Sequence, residues 1–403
     1  MTEPDLPEPQ PPVPHLRLPE LPAPKPSAPK PPEPRPVARR IVLCPICVDR
    51  IPWPEQLFRP TVREQQLVWE ALDLSRQTNP DKYQYARTRA YVRCPNPSQD
   101  GTPTHYLPAV HDDYGAPIVI GVVGRSTSGK THLLITMLSE MLRGGLHEHD
   151  LTFEVADKIQ HEKSAQEMER LRRGDVLGAT DADHWSFTSY LLVRRPGKPT
   201  RPLIFFDVQG EDFVERGMTS ERRAQFVLGA DALLFVDDPA RGLPLWRPNA
   251  KSTRDLKASQ QDNRAFAGAI ARLHGKADGS RVPAAIALTK ADELRYDYPV
   301  DHWLRREDVS GELRAGEFRA ESRDVYAVLE RYQAKPMLEV AERFSRCTLH
   351  FVSATGGSAT TEEDSGRELY PRGVRPMRVL QPILALLAMT DVLDGAEAER
   401  VGR

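Results

Sequence analysis

A continuous apolar run, Ile118-Val119-Ile120-Gly121-Val122-Val123, passes without a break into Gly124-Arg125-Ser126-Thr127-Ser128-Gly129-Lys130-Thr131. No other stretch constrains the fold of this chain as tightly. The run is rich in β-branched residues, as a strand buried on both faces of a parallel sheet must be. The loop satisfies G-x-x-x-x-G-K-[ST] at each fixed position, and Leu134, Met137, Leu138, Met141 and Leu142 then recur at helical spacing before Gly144-Gly145. Glycines let backbone N–H groups curl around a phosphate, and the start of a helix adds a positive dipole end. Lys130 is placed to reach the β- and γ-phosphates, and the Thr131 hydroxyl to ligate Mg²⁺. Strand, phosphate loop and helix together predict an α/β fold: a doubly wound, mostly parallel sheet with ligands at the carboxyl ends of its strands.

Three further elements follow in order, each at the end of a hydrophobic strand. Leu203-Ile204-Phe205-Phe206 runs into Asp207-Val208-Gln209-Gly210, which supplies a carboxylate for the Mg²⁺ shell and a backbone N–H near the γ-phosphate. Ala284-Ala285-Ile286-Ala287-Leu288 leads to Thr289-Lys290-Ala291-Asp292, and Leu349-His350-Phe351-Val352 to Ser353-Ala354-Thr355. The first resembles the [NT]-K-x-D element of GTP-binding proteins and the second their S-A-x element; in the former the aspartate accepts from N1–H and N2–H₂ of guanine, and adenine would leave that buried carboxylate unpaired. The Lys290 stem is expected along the base, and a backbone N–H near Ala354 opposite guanine O6.

With these motifs the region from about Ala116 to Leu387 resembles a translation-factor-type (TRAFAC-like) P-loop GTPase. The resemblance implies a GTP/GDP site built from Gly124, Ser126, Thr127, Ser128, Gly129, Lys130, Thr131, Thr289, Lys290, Asp292, Ser353 and Ala354. It also implies Mg²⁺ held by Thr131, Asp207 and a switch threonine. Thr180, ahead of the strand Trp185–Val193, is the expected switch residue, because Thr188 would sit inside that strand. A charged helix is expected between Glu154 and Arg173. Chemistry is assigned to Lys130, Thr180, Gly210 and Glu211. In many such enzymes a glutamine directly after D-x-x-G orients the attacking water, and here that place is Glu211, which adds negative charge beside the γ-phosphate. Slow intrinsic turnover is therefore expected, with a partner supplying an arginine as the means of raising it.

The sequence ahead of this region is different in kind. Of 37 prolines in 403 residues, 15 fall between Pro4 and Pro36, interleaved with Glu, Lys, Ala and Arg. Such a segment cannot bury enough apolar surface to offset its conformational entropy, so residues 1–38 are expected to be a disordered tether. From Glu64 to Leu74, Leu67, Val68, Ala71 and Leu72 suggest a helix by their spacing. Cys44-x-x-Cys47 is a knuckle of the kind that holds Zn²⁺; Cys94 and His105 would complete a closed tetrahedral site, with His111 as the alternative fourth ligand. A redox pair or unrelated thiols are the competing readings, although no βαβ pattern surrounds Cys44. Cys347 reads as a small apolar side chain.

A cysteine-knuckle segment ahead of such a domain resembles the second double-GTPase family. The likeness spans Ile41 to Met389, including Tyr106-Leu107-Pro108 and the segment Arg375-Pro376…Leu380-Gln381-Pro382. It implies a protein partner, a second GTPase or an activating protein, in a bacterial signalling or conflict system. The expected organisation is a tail (1–38), a zinc-knuckle module (39–113), the GTPase domain (114–392) and a flexible C-terminus (393–403). A catalytically weak nucleotide-binding scaffold is the alternative function.

Composition closes several other routes. With 55 basic and 57 acidic side chains the net charge is -2, which argues against nucleic acid held by a bulk positive field. Arg40, Arg50 and Arg93 give only local support for RNA. The longest apolar runs fall far short of the ~20 residues needed to span a bilayer. Four cysteines make no disulfide framework, and Met1 to Gln10 has neither basic start nor apolar stretch, so a cytoplasmic location is expected.

Overall fold

The fold grows from two unlike main sheets, one of four strands and one of seven, with two further two-stranded pairs among the described residues. In this computed structural model the described residues are 41–64, 66–99, 102–125, 127–178, 187–209, 226–247, 264–274, 281–306 and 311–403. The expected proline-rich tail, Ser126, Thr180, Gly210 and Glu211 lie outside the described residues.

The smaller sheet comes first in the chain. β1 (Ile41–Leu43) and β2 (Arg50–Pro52) pair antiparallel, with Ile41 against Pro52 and Leu43 against Arg50. The loop between them is tight: the Cys44 N–H donates to the Asp49 carbonyl at 2.8 Å, and the Val48 N–H to the Cys44 carbonyl at 3.0 Å. β3 (Leu57–Arg63), β4 (Gln66–Leu72), β5 (Tyr91–Arg93) and β6 (Tyr106–Pro108) then form an antiparallel sheet in the order β4-β3-β5-β6. The helix expected over Glu64–Leu74 is thus a strand. Its apolar spacing fits either period over so short a window, and two long-range contacts decide it. β4 pairs with β3 from Leu57–Leu72 to Arg63–Gln66, and Trp69 stacks on Tyr106 with ring centroids 4.0 Å apart. A true helix, α1 (Pro80–Arg87), begins a few residues later, where the Asn79 side chain accepts from the Lys82 N–H at 3.0 Å.

The larger sheet has seven strands. In chain order its elements are β7 (Ile118–Gly124), α2 (Lys130–Leu142), β8 (Thr152–Val155), α3 (Lys158–Arg172), β9 (Phe187–Arg194), β10 (Arg201–Gln209) and β11 (Ala232–Asp237). α4 (Arg264–His274), β12 (Ala284–Leu288), α5 (Ala315–Arg331), α6 (Lys335–Arg343), β13 (Cys347–Phe351), α7 (Gln381–Met389) and α8 (Ala396–Arg400) complete it. The strand order is β13-β12-β11-β7-β10-β9-β8; β13 to β10 run parallel, while β9 and β8 reverse in turn. β7 lies between β10 and β11, so the winding changes direction beside it, and in sheets of this kind ligands bind at the carboxyl ends of the strands at such a point. α3 is the helix expected between Glu154 and Arg173, and Asp157 caps it by accepting from the Ile159 and Gln160 N–H groups.

Both faces of this sheet are covered. Val119, Val123, Phe235 and Ile286 pack with Ala269, Val325, Leu329 and Val340 on one side. Ile118, Ile120, Val122 and Phe205 pack with Leu134, Met137, Leu384 and Leu387 on the other. Each such aliphatic side chain, wholly withdrawn from water, contributes roughly 1.5–3 kcal/mol. The C-terminal end is part of this core, and the expected flexible segment 393–403 is folded. Ala398 and Val401 are buried, the Cys347 N–H donates to the Gly402 carbonyl at 3.0 Å, and the Arg346 guanidinium donates to the Ala398 and Val401 carbonyls. Buried apolar side chains and filled carbonyls hold an end that composition alone leaves loose.

The two sheets belong to one compact unit, Arg40–Arg403. Tyr91 donates to Asp157 Oδ1 at 2.8 Å, tying β5 to the cap of α3. His111, stacked on Trp53, shares a 2.5 Å hydrogen bond through Nδ1 with the Tyr190 hydroxyl.

Candidate functional site

The register of the large sheet brings the loops together. Gly124 ends β7 opposite Gln209 of β10 and Val236 of β11, and Leu288 lies level with both Asp237 and Phe351. The segments leaving these strands therefore meet at one edge.

The phosphate loop is shaped by close approach. A Cβ at Gly124 would stand 2.4 Å from the Val236 carbonyl oxygen and 2.9 Å from Lys130 Cδ, so no larger residue fits there. Gly129 has φ 84°, a left-handed conformation that glycine adopts at no steric cost, and α2 starts directly after it. Lys130 is buried, and its Nζ donates to the Gly124 carbonyl at 2.9 Å and the Arg125 carbonyl at 3.2 Å. The Ser128 hydroxyl closes the turn by donating to Arg125 O at 2.8 Å.

Thr289 and Lys290 brace this loop from the neighbouring strand. The Thr289 hydroxyl lies 2.6 Å from the Ser128 carbonyl and 3.0 Å from the Asp237 carbonyl. Lys290 Nζ donates to Thr127 O at 3.1 Å and to Asp238 Oδ2 at 2.7 Å. Lysine and threonine of T-K-x-D thus link the phosphate loop to the end of β11. Asp292 is buried beyond them, and its Oδ1 accepts the Ser353 hydroxyl at 2.5 Å. Ser353 Oγ in turn accepts from the Gly356 N–H at 2.8 Å, and the Ala291 N–H donates to the Val352 carbonyl at 3.1 Å. Ala354 is buried in the same turn.

Asp207 lies wholly inside, and burial pushes its carboxyl up, opposed by the nearby Lys130 charge and by the hydrogen-bonded Thr131 side chain. A hydroxyl and a carboxylate side by side at the foot of a phosphate loop are a donor pair suited to a hard, oxygen-seeking cation.

Sequence reasoning missed an ion pair beneath the loop. Arg125 and Asp237 are both buried and paired, and Asp237 is pushed up to about 6 by burial, against the pull of Arg125. Removing one partner of such a pair costs roughly 3–5 kcal/mol, because the other is left charged in a dry site. The only sequence signal was the doublet Asp237-Asp238 closing an apolar run. Burial likewise lifts Glu293 to about 7, next to Lys290.

The four predicted zinc ligands converge on the small sheet. The ligand atoms of Cys44, Cys47, Cys94 and His105 all lie within 4.8 Å of one another. Cys44 Sγ is 3.2 Å from His105 Nε2, and the Cys47 and Cys94 sulfurs are 3.7 Å apart. The edge of a tetrahedron built on ~2.3 Å metal–sulfur bonds is about 3.8 Å. The Ile46 and Asn96 N–H groups point at Cys44 Sγ and Cys94 Sγ at 3.4 Å, and His105 Nδ1 meets the Pro103 carbonyl at 2.8 Å, which leaves Nε2 for a metal. Hydrogen bonds from Cys44 and Cys47 hold the Cys94 thiol well below its usual range, while burial pushes Cys44 up. The strand register explains the wide sequence gap: Arg93 pairs with Tyr106, and the Cys94 N–H donates to His105 O at 3.1 Å. His111, the alternative ligand, is bonded to Tyr190 and is not part of the cluster. Cys347 is half-buried at the start of β13.

Among the described residues no helix is long and apolar enough to cross a membrane. No curated protein matches the chain. Among solved structures it is similar to a bacterial selenocysteine-specific elongation factor, EF-Sec, at 14% identity and a TM-score of 0.29, over 70% of this chain and 30% of that one. It is also similar to the S. cerevisiae Ski7 GTPase-like domain bound to GTP (14%, TM-score 0.29, 69% of this chain and 51% of that one). A third likeness is to the signal recognition particle receptor SRb-GTP/SRX complex from Chaetomium thermophilum (13%, TM-score 0.26, 61% and 94%). The chain thus spans under a third of the first of these proteins and about half of the second. The family model of Double-GTPase 2 matches residues 118–363, from the strand that feeds the phosphate loop to the segment beyond Ser353. On that match the chain belongs to the Double-GTPase 2 family.

Proposed function

We propose that this chain binds GTP with Mg²⁺ and hydrolyses it slowly to GDP and phosphate, changing its contacts with a protein partner as it does so. The observation that carries the reading is the bracing of one loop by the other: Thr289 and Lys290 hold Ser128 and Thr127, while Ser353 orients Asp292. Such bracing supports a loop that would take the phosphates and a turn that would read the base edge, held in a constant relation to one another. Lys130 would exchange its loop carbonyls for the β- and γ-phosphates. Thr131 and Asp207, with Thr180 from the first switch, would hold Mg²⁺, which when bound neutralises charge on the phosphate oxygens. Gly210 would offer its N–H to the γ-phosphate. Glu211 would stand near the attacking water, where a second negative charge disfavours the reaction; this residue also motivates the rival reading of a scaffold without useful catalysis. In a single-turnover assay, phosphate release should follow GTP loading slowly and rise when the partner is added. A fast chemical step in the isolated chain would overturn the slow-hydrolase reading, and no release under any condition would favour the scaffold.

The cysteine cluster fits Zn²⁺ in a structural role: three thiols, one imidazole and no open position. A reducing, cytoplasmic setting suits such a site. Purified protein should carry about one zinc per chain, and the Cys44→Ser/Cys47→Ser variant should carry none. Metal analysis that finds no zinc in the native chain would remove this assignment. The partner, a second GTPase or an activating protein in a bacterial signalling or conflict system, is proposed from family membership.

A further inference from the structure

Between the Ser353-Ala354-Thr355 turn and α7 the chain carries an arm that none of the motifs explains. Two short strands, β14 (Thr360–Thr361) and β15 (Glu368–Leu369), pair antiparallel at its base. Leu369 bridges Asp175, the Arg367 guanidinium pairs with the Asp175 carboxylate at 2.5 Å, and the Tyr370 N–H donates to the Gly174 carbonyl at 2.7 Å. Tyr370 and Val374 pack against a small core of Ile135, Leu171 and Leu177. The arm then returns to the turn it left. Arg375 N–H donates to Thr355 O at 2.9 Å, and Ser353 and Met377 exchange backbone hydrogen bonds at 3.0 and 2.8 Å.

This double anchoring puts the ring of Tyr370 beside the elements that read the base. Burial pushes its phenol up to about 12, with the Asp292 charge adding to the push and the Thr355 side chain opposing it. Its edge meets His132, with centroids 6.1 Å apart and planes at 81°. His132 directly follows Lys130-Thr131, and its Nε2 accepts from the Leu177 N–H at 3.3 Å. Asp292 can recognise one edge of a purine, yet an edge pair leaves the flat face uncovered. Lys290, tied down at Thr127 and Asp238, is fixed on one side of that space. Tyr370 is the aromatic side chain that the arm sets against His132, one residue past Thr131.

We propose that Tyr370, backed by His132, is the wall against which the base and ribose of the guanine nucleotide seat, so that the arm Thr360–Val374 is part of the nucleotide site. This rests on the guanine-nucleotide reading above. Base–aromatic contact is worth enough that Tyr370→Ala should weaken GDP binding about tenfold to hundredfold. Calorimetry on the full chain should show this loss for GDP, while inorganic tripolyphosphate, which has no base, binds the variant as it binds the native protein. Tyr370→Phe keeps the ring and should stay within about threefold of native. Tyr370→Trp adds a fluorophore whose emission should change with GDP and not with tripolyphosphate, a readout that propping up the loop would not give. Native-like GDP affinity in the alanine variant, equal losses of GDP and tripolyphosphate, or a silent tryptophan would each overturn the proposal. If the native chain itself prefers GDP no more than tripolyphosphate, the guanine reading falls and takes the wall with it. That outcome is visible before any substitution is made.

Discussion

Lys130→Ala should raise the dissociation constants for GDP and GTP by about a hundredfold or more, since charge-assisted hydrogen bonds to buried groups contribute ~1.5–3 kcal/mol each. The ammonium already sits in the curl of the phosphate loop, bonded to Gly124 and Arg125 carbonyls and shielded from water. A phosphate oxygen would find it positioned and desolvated. The substitution also acts through Asp207. The Lys130 charge is what chiefly opposes the upward push of burial on that carboxyl. Without it Asp207 rises further, and the ionised form needed to hold a cation is depleted as pH falls through the raised value. The variant should therefore lose nucleotide more steeply in mild acid than the native chain does. Calorimetric titration at two pH values, with circular dichroism to confirm folding, tests both parts. Near-native affinity in the folded variant would remove Lys130 from the site.

Legibility in the sequence followed the range of the interactions involved. The phosphate loop, Asp207, Thr289–Asp292 and Ser353 sit immediately after apolar strands, and a local pattern is enough to find them. Their mutual bracing was not visible. That Thr289 would hold Ser128, or Ser353 orient Asp292, depends on β11, β7 and β12 lying side by side in register. The Arg125–Asp237 pair has the same origin, for Val236 is level with Gly124 only across the sheet. Gln66–Leu72 fails in the opposite sense. Its spacing suits a helix, and the tertiary partners β3 and Tyr106 impose a strand. The end of the chain reads as loose until Arg346, far away in sequence, is seen filling its carbonyls. The fourth position of the cysteine cluster was open between His105 and His111, and the pairing of Arg93 with Tyr106 decides for His105.

Asp292→Asn should reverse base preference: GTP affinity falls by about a hundredfold or more, because a site built to hydrogen-bond one base leaves buried groups unpaired against another. Xanthosine triphosphate should bind better than GTP. The reason lies in which way the new amide must face. Ser353 Oγ accepts the Gly356 N–H, so its own hydroxyl proton is directed at residue 292. In the native chain that proton goes to a carboxylate oxygen. In the variant only the amide oxygen can accept it, and the NH₂ group is turned toward the base. There it opposes the N2–H₂ donor of guanine but suits the carbonyl that xanthine carries at C2 instead; N1–H is common to both bases. Because the orienting bond comes from Ser353, the reversal should be weaker when Ser353→Ala is added, since the amide is then free to flip and offer its oxygen to guanine again. Competition between GTP and xanthosine triphosphate on the native chain, the single variant and the double variant measures all three predictions. A native-like preference in Asp292→Asn would mean that this buried carboxylate does not face the base, and the T-K-x-D turn would then be only a brace for the phosphate loop.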